Sequence, residues 1–362
     1  MSGLADVFTP DGFGLATLTA GIQKLPPSPQ TIAELGVFRE VPIATTMVAI
    51  EENRGVLALI PTTKRGGPGT TGAPEKRKVF ALTVPHVQVD DTIQADDVLN
   101  VRAFGTQDQN AVVSQLVAQK FIPMRRSLEA TIEFLRMRAL HGLIVYPTGS
   151  VDANVDLHTA FGATNLATDE TVVDFVLSTG TTDVMGKCAT VRDYMEAALG
   201  GTPYTGIYCL CGREFFRALC VHAEVHKLYL EQQAIFGAAM MGQVGLGAGN
   251  RVNRQKLVFG GITFEEYYGF TSGLYSIGDA TPTEANAANR WARFFPLGAD
   301  VLHTYYAPAD RVEAVGTLGQ PMYASQYLSE DGKSVRLEAQ SNPLSICVRP
   351  KCLIKGIRHT GD

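Results

Sequence analysis

Residues 125–146 read RRSLEATIEFLRMRALHGLIVY. Within them Leu128, Ile132, Leu135, Ala139 and Leu143 recur at steps of four, three, four and four. That spacing draws an apolar stripe down one side of an α-helix. Glu129, Glu133, Arg136 and Arg138 fall off the stripe, so the other side is wet or faces charged neighbours. The helix is expected to stop near Pro147, whose ring disfavours a helical conformation at Tyr146, with Thr148-Gly149 following. Upstream, AVVSQLVAQKF (111–121) is also helical in pattern, and Pro123 either separates it from the main helix or kinks a continuous one. Together they make a spine of about thirty-five residues, roughly 50 Å at 1.5 Å per residue. On periodicity alone this is an ordinary core helix of a globular enzyme. Its flanks change that reading.

The chain has 362 residues, 45% of them hydrophobic and 19% charged, which is enough for two or three domains with a sizeable core. A net charge of −5 argues against a protein whose main work is gripping nucleic acid. The opening MSGLADVFTPDGFG has no basic region followed by an apolar one, so no signal peptide is expected. No run approaches eighteen apolar residues, which excludes a spanning helix and membrane partners. Six cysteines without a framework spacing suggest a reducing compartment and free thiols.

Residues 1–40 show little regular periodicity. Pro26-Pro27-Ser28-Pro29 enforces an extended segment, and Thr31–Leu35 suits one helical turn. Such a segment is either an arm laid on another surface or a disordered tail. Residues 41–86 read as a long hairpin, with Thr45–Ile50 and Arg54–Ile60 going out and Val79–Val84 returning. The connection PTTKRGGPGTTGAPEKRK (61–78) is far longer than a hairpin needs. It carries Lys64, Arg65, Lys76, Arg77 and Lys78 against Glu75 alone, within an acidic chain. It lacks the order of a P-loop, which leaves a solvated loop or one that reaches onto another subunit. The next segment holds a short strand with two acidic doublets, Asp90-Asp91 and Asp96-Asp97. These read as solvated turn residues or a helix N-cap ahead of a metal-binding pair. Val172–Leu177 is a strand. Beyond it, Thr190–Leu199 reads as a helix, GIYCLC (206–211) as a buried strand, Arg213–Gln233 as a helix and LVFGGITF (257–264) as another strand. Short strands follow in VLHTYYAP, VRLEAQ and SICVRPKCLIKGI.

No catalytic or ligand pattern in the sequence is complete. Cys209, Cys211, Cys220, His222 and His226 crowd together, yet C-x-C…C-x-H-x-x-x-H matches no usual zinc spacing, so buried thiols and helix-surface histidines are expected instead. Gly180–Cys188 misses the P-loop by one residue between its glycines and by a cysteine in place of the magnesium-binding hydroxyl. GLGAGN (245–250) follows a helix rather than a strand, and no G-x-S-x-G elbow exists. No residue is nominated as catalytic, cofactor-binding or metal-ligating, and no cofactor is expected.

The order of these parts resembles the tailed-phage major capsid proteins, in particular the lambda-type family often called major capsid protein E. TTKRGGPGTT, with its basic return, sits where that family has an extended loop, the E-loop. RRSLEATIEFLRMRALHGLIVYPTG resembles its spine helix. GIYCLCGREFFRALCVHAEVHKLYL resembles a strand-then-helix unit of its axial domain. LVFGGITFEEYYG and EAQSNPLSICVRPKCLIKGI resemble its late strands, with Gln340-Ser341 and Pro343-Leu344 the nearest match. The resemblance implies an α+β, HK97-like fold divided as 1–40 arm, 41–86 extended hairpin, 87–186 peripheral domain with the spine, 187–304 axial α/β domain and 305–362 β-rich return. It implies hexamers and pentamers in an icosahedral shell around double-stranded DNA that is not read by sequence, located in the virion and assembled in the host cytoplasm. Scaffold, portal and decoration proteins are the implied partners. The absence of a long charged helical N-terminal extension implies a separately encoded scaffold. Lys64, Arg65, Lys76, Arg77 and Lys78 are then expected to pair across subunit boundaries, with Asp90, Asp91, Asp96 and Asp97 as acidic partners. A soluble cytosolic α/β enzyme and a small-molecule binding module are the competing readings.

Overall fold

A computed structural model of the chain describes residues 14–25, 30–52, 78–94, 109–146, 154–160, 171–228, 256–267, 290–329 and 334–359. In chain order come helices α1 (Leu15–Lys24) and α2 (Thr31–Leu35), then strands β1 (Arg39–Pro42), β2 (Met47–Glu52), β3 (Lys78–Thr83) and β4 (Val87–Gln94). The long helix α3, Gln109–Leu140, follows. Its 32 residues span about 48 Å.

Helix α3 runs unbroken through Pro123. The proline takes an exposed position, where water can satisfy the carbonyl its ring leaves without an N–H partner. Ser127 donates to the Pro123 carbonyl at 3.1 Å and Thr131 to the Ser127 carbonyl at 2.9 Å. The apolar stripe extends further upstream than residue 125. Val117, Phe121, Met124, Leu128 and Ile132 are all buried in one cluster with α1 and β4. Past Leu135 the helix enters a second, larger cluster through Met137, Ala139 and Leu140. One rod therefore belongs to two cores. The helix ends six residues earlier than Tyr146, because Gly142 adopts a left-handed φ of +76° after Leu140 and β-branched Ile144 continues in an extended chain. That chain is β5 (Leu143–Ile144), paired with β6 (Val155–Asp156).

The second core is built on a six-stranded sheet. Its strands are β7 (Thr171–Asp174), β8 (Gly206–Cys211), β9 (Lys256–Phe259), β10 (Ile262–Glu266), β11 (Trp291–Leu297) and β16 (Ile354–Ile357), in the spatial order β7-β16-β11-β8-β10-β9. Helices α4 (Val184–Leu199) and α5 (Arg213–Val221) accompany it. β7, from the segment expected in the peripheral domain, pairs here with β16. A three-stranded antiparallel sheet, β13 (Tyr323–Leu328), β14 (Ser334–Ser341) and β4, packs on the first half of α3. A further sheet joins β1, β12 (Leu302–Tyr306) and β15 (Pro343–Cys347). Between β14 and β15 the chain passes from one sheet to the next at buried Asn342. Its amide donates to the Pro308 carbonyl at 2.6 Å, and its carbonyl oxygen meets the His86 ring at 2.8 Å. This joint lies inside Gln340–Leu344, the stretch nearest the family pattern.

Three local readings change. Lys256–Glu266 is two strands of a hairpin, since Gly260 and Gly261 have φ of +58° and +79°, the left-handed pair that a tight turn requires. A Cβ on Gly260 would also fall 2.6 Å from that of Cys188. Helix α5 stops at Val221, because His222 leaves helical geometry (ψ 135°) before helix resumes over 223–228. Residues 15–24, expected to be irregular, form α1, whose Leu18 and Ile22 are buried against α3 and β13.

Candidate assembly interface

Off-stripe residues of α3 face charged and polar neighbours, and they grip the N-terminal arm. Arg125, held by Glu129 at 2.7 Å, donates to the carbonyls of Ile22, Gln23 and Leu25 at 2.5, 3.0 and 2.5 Å. These sit at the C-terminal end of α1, where the helix dipole is negative. About two turns further along from Arg125, the Glu133 carboxylate accepts from the amides of Ile32 and Ala33 at 2.9 and 3.4 Å, at the positive end of α2. Arg136 then reaches Glu40 on β1 at 2.7 Å and the hydroxyls of Thr304 and Tyr306 at 3.3 and 3.2 Å. Each charge meets the arm where its sign is favourable. Residues 22–25 and 30–40 are thus strapped along their own spine.

The two-stranded ladder of β2 and β3 runs antiparallel from Met47↔Thr83 to Glu52↔Lys78. Lys64, Arg65, Lys76 and Arg77 lie outside the described residues, as do Arg54–Ile60, Asp96, Asp97 and 237–250.

Asp90 and Asp91 are described, and they sit within strand β4 rather than in a turn. Strand alternation puts Val87, Val89, Asp91 and Ile93 on the row facing α3, and Gln88, Asp90, Thr92 and Gln94 on the exposed row. Asp91 pairs with Lys120 of α3 at 3.2 Å. Asp90 pairs with Arg336 across the sheet and accepts from Gln88 at 2.8 Å. Burial acts to raise the Asp90 carboxyl, but the bonds from Gln88 and Arg336 outweigh it and hold the group below its ordinary value. The doublet is therefore split between two faces. Beside it opens a cavity of about 820 Å³, lined by Asp90, Asp91, Tyr327, Arg336 and their neighbours. Both Arg311 and Arg336 pack over the Tyr327 ring, at 5.8 and 5.7 Å.

The cysteine–histidine crowd comes apart in space. Cys209 and Cys211 share a face of β8 with their sulfurs 3.5 Å apart in the core. Burial pushes the Cys209 thiol well above its ordinary range, and that of Cys188 to about 12. His222 is buried, its ring bonded to the Thr179 carbonyl at 3.0 Å, whereas His226 is exposed. Among the described residues no three His, Cys, Asp or Glu side chains are placed to hold a metal ion. The Gly180–Cys188 segment is largely the first turn of α4, where Asp183 takes the Gly186 amide at 2.7 Å as an N-cap. Among the described residues no helix is long and apolar enough to cross a membrane.

A spine helix shared by two cores, an arm segment strapped to it and a chain that passes between sheets at Asn342 make up an α+β, HK97-like fold. The chain belongs to the phage major capsid protein E family, whose sequence profile matches residues 14–358. A major capsid protein of Salmonella phage Felix O1 is 26% identical over 358 residues, covering 94% of this chain and 95% of the relative. One from Pseudomonas phage KPP10 is 26% identical over 341 residues, covering 89% and 90%. A candidate capsid protein from a prophage of E. coli CFT073, solved by crystallography, superposes with a TM-score of 0.56 at 13% identity, covering 95% of this chain and 98% of its own. At that identity the likeness is one of fold. Membership makes the chain a structural subunit of a multi-copy capsid shell, located in the virion, and the enzyme reading falls away.

Proposed function

We propose that the chain forms hexamers and pentamers of an icosahedral shell around double-stranded DNA, clamped by the basic loop of each copy on an acidic face of the next. Family membership supports the shell, and the observation that carries the clamp is the exposed row of β4. There Asp90 offers a carboxylate held ionised beside an open polar cavity. Lys64, Arg65, Lys76, Arg77 and Lys78 supply the complementary charge, with Asp96 and Asp97 as further acidic partners, whereas Asp91 faces α3 and is taken up by Lys120. Arg336 and Lys120 already occupy Asp90 and Asp91 within the subunit. Docking therefore shares or exchanges partners, and its gain is small and salt-sensitive. Ordering the loop costs roughly 1–2 kcal/mol per residue fixed, which only repeated contacts in a closed shell offset.

The α3–β4–β13–β14 core serves as a peripheral domain and the six-stranded sheet as an axial one. Assembly takes place in the host cytoplasm with a scaffold and a portal, and a decoration protein is a further partner. The net charge of −5 keeps the inner wall from trapping packaged DNA.

The test is the triple variant Lys76→Ala, Arg77→Ala, Lys78→Ala. Subunit melting should stay within about 2 °C of wild type, while particle yield falls and loses its dependence on ionic strength. Wild-type yield at every salt concentration, or loss of the subunit fold, would count against the clamp.

A further inference from the structure

His86 stands between β3 and β4, and both of its ring nitrogens meet oxygen. Nδ1 lies 2.8 Å from Oδ1 of Asn342, and Nε2 lies 3.1 Å from Oε1 of Gln88. Both amides have their orientation fixed from the far side. Asn342 donates its NH2 to the Pro308 carbonyl at 2.6 Å, and Gln88 donates its own to Oδ1 of Asp90 at 2.8 Å. Reversing either amide would set oxygen against oxygen. A neutral imidazole has one N–H and one lone pair, so it serves one of these acceptors, whereas the imidazolium donates to both. The line from the Pro308 carbonyl through Asn342, His86 and Gln88 to Asp90 is complete only with the charged ring.

We infer that His86 is a pH sensor for loop docking: its charge sets the orientation of Gln88 and, through Gln88, the hold on Asp90. This regulation rests on the clamp proposed above. Asn342 is buried at the joint between β14 and β15, and turning it would strand the Pro308 carbonyl. Gln88 is exposed and turns freely in water. When the ring gives up a proton, Nδ1 therefore keeps its hydrogen on Asn342, and Nε2 shows a lone pair to the Gln88 oxygen. The Gln88 amide then reverses, with its NH2 toward His86 and its carbonyl toward Asp90. Asp90 loses one of the two donors, Gln88 and Arg336, that hold its carboxyl below its ordinary value.

Histidine changes charge between about pH 5 and 8. On the acid side Gln88 donates to Asp90 and competes with the incoming loop. On the alkaline side that donor has turned away, and the carboxylate takes a loop cation in its place. Docking strengthens as pH rises through the range. Charge alone does not carry the signal. His86 and Asp90 are four residues apart on extended chain, about 13 Å, beyond the screening length of about 8 Å at physiological salt. The charged groups on the surrounding elements are Arg336 and Glu338 on β14, with Asp310 and Arg311 in the β12–β13 connection. Arg336 pairs with Asp90 and Arg311 with Glu338. Lys120 and Asp91 pair on the opposite row, and Val79–Thr83 of β3 carry no charge. Carboxylates, amines and guanidiniums ordinarily keep one charge from pH 5 to 8, so the histidine is the group that responds.

The experiment measures, by sedimentation at fixed ionic strength, the subunit concentration needed for particles at about pH 5.5 and about pH 7.5. Wild type should need about threefold more at the lower pH. His86→Asn keeps an amide N–H for Asn342 and cannot change charge. Gln88→Met leaves the histidine in place and removes its connection to Asp90. In either variant the ratio should fall to about one. A wild-type ratio retained in either, or no response in wild type, overturns the sensor. A second reading needs no assembly. In the unassembled subunit the Gln88 side-chain amide resonances should move over that pH range in wild type and stay fixed in His86→Asn; static resonances in wild type overturn the relay by themselves. The clamp fails separately, if the variant Lys76→Ala, Arg77→Ala, Lys78→Ala assembles like wild type while the Gln88 resonances still follow pH.

Discussion

Glu133 meets α2 at the end where a carboxylate is worth most, accepting the amides of Ile32 and Ala33 and approaching the Tyr267 hydroxyl at 3.4 Å. Removing it strands two helix-end amides, one of them on buried Ile32. Glu133→Ala should therefore destabilise the subunit by about 2–3 kcal/mol, and Glu133→Gln by about 1 kcal/mol, since Gln keeps one acceptor and loses the charge. Amide hydrogen exchange at Ile32 and Ala33 should speed up in Glu133→Ala. Unchanged exchange there would show that the arm does not depend on this carboxylate. The sequence marked Glu129, Glu133 and Arg136 as off the apolar stripe, but it left open what they face. The Arg125–Glu129 pair is an i,i+4 contact that the helical spacing allows, but the partners of Glu133 and Arg136, at Ile32 and Glu40, lie about a hundred residues away in the chain, and spacing within a helix carries no information about them. The doublet Asp90-Asp91 was legible as acidic and misleading as a pair. Adjacent residues of a strand point to opposite faces, and although a strand was legible here, its extent through the doublet is fixed only by the pairing with β14.

At the scale of the element, α3 was the most legible part, because its stripe at steps of three and four is long and regular. Its end was not, since Gly142 stops the helix before Pro147 has any say. Strand β11 escaped the sequence reading although it lies between β16 and β8 in the main sheet. WARFFPL has no alternation, because both of its faces are covered, and Pro296 argues against a strand. Pairing with β16 ends at Phe294, so the proline sits past that ladder. Pro123 is the element's unusual residue. An alanine there restores one intrahelical bond, and Pro123→Ala should raise unfolding free energy by about 1–3 kcal/mol in urea titration. Particle yield or geometry should nevertheless suffer, because the two ends of α3 serve different cores and any bend at the proline sets their relation. A stabilised subunit that builds normal particles would show that the proline has no part in assembly.

Over the whole molecule, the order of parts carried more than any single motif did. An arm with little core of its own, a hairpin with an overlong basic tip and a spine shared by two clusters are costly in a free-standing monomer and useful in a shell. The described parts of the first forty residues, 14–25 and 30–40, lie on their own spine, which sequence alone could not distinguish from docking on a neighbour. The deciding observation is the size of the purified protein near neutral pH, followed by sedimentation and negative-stain imaging across concentration and salt. A subunit of 39.0 kDa that builds a capsid should give uniform closed particles hundreds of times that mass, with six-fold and five-fold clusters on their surface. A protein that stays a 39.0 kDa monomer or a small oligomer under every condition, including co-expression with a scaffold, would contradict it.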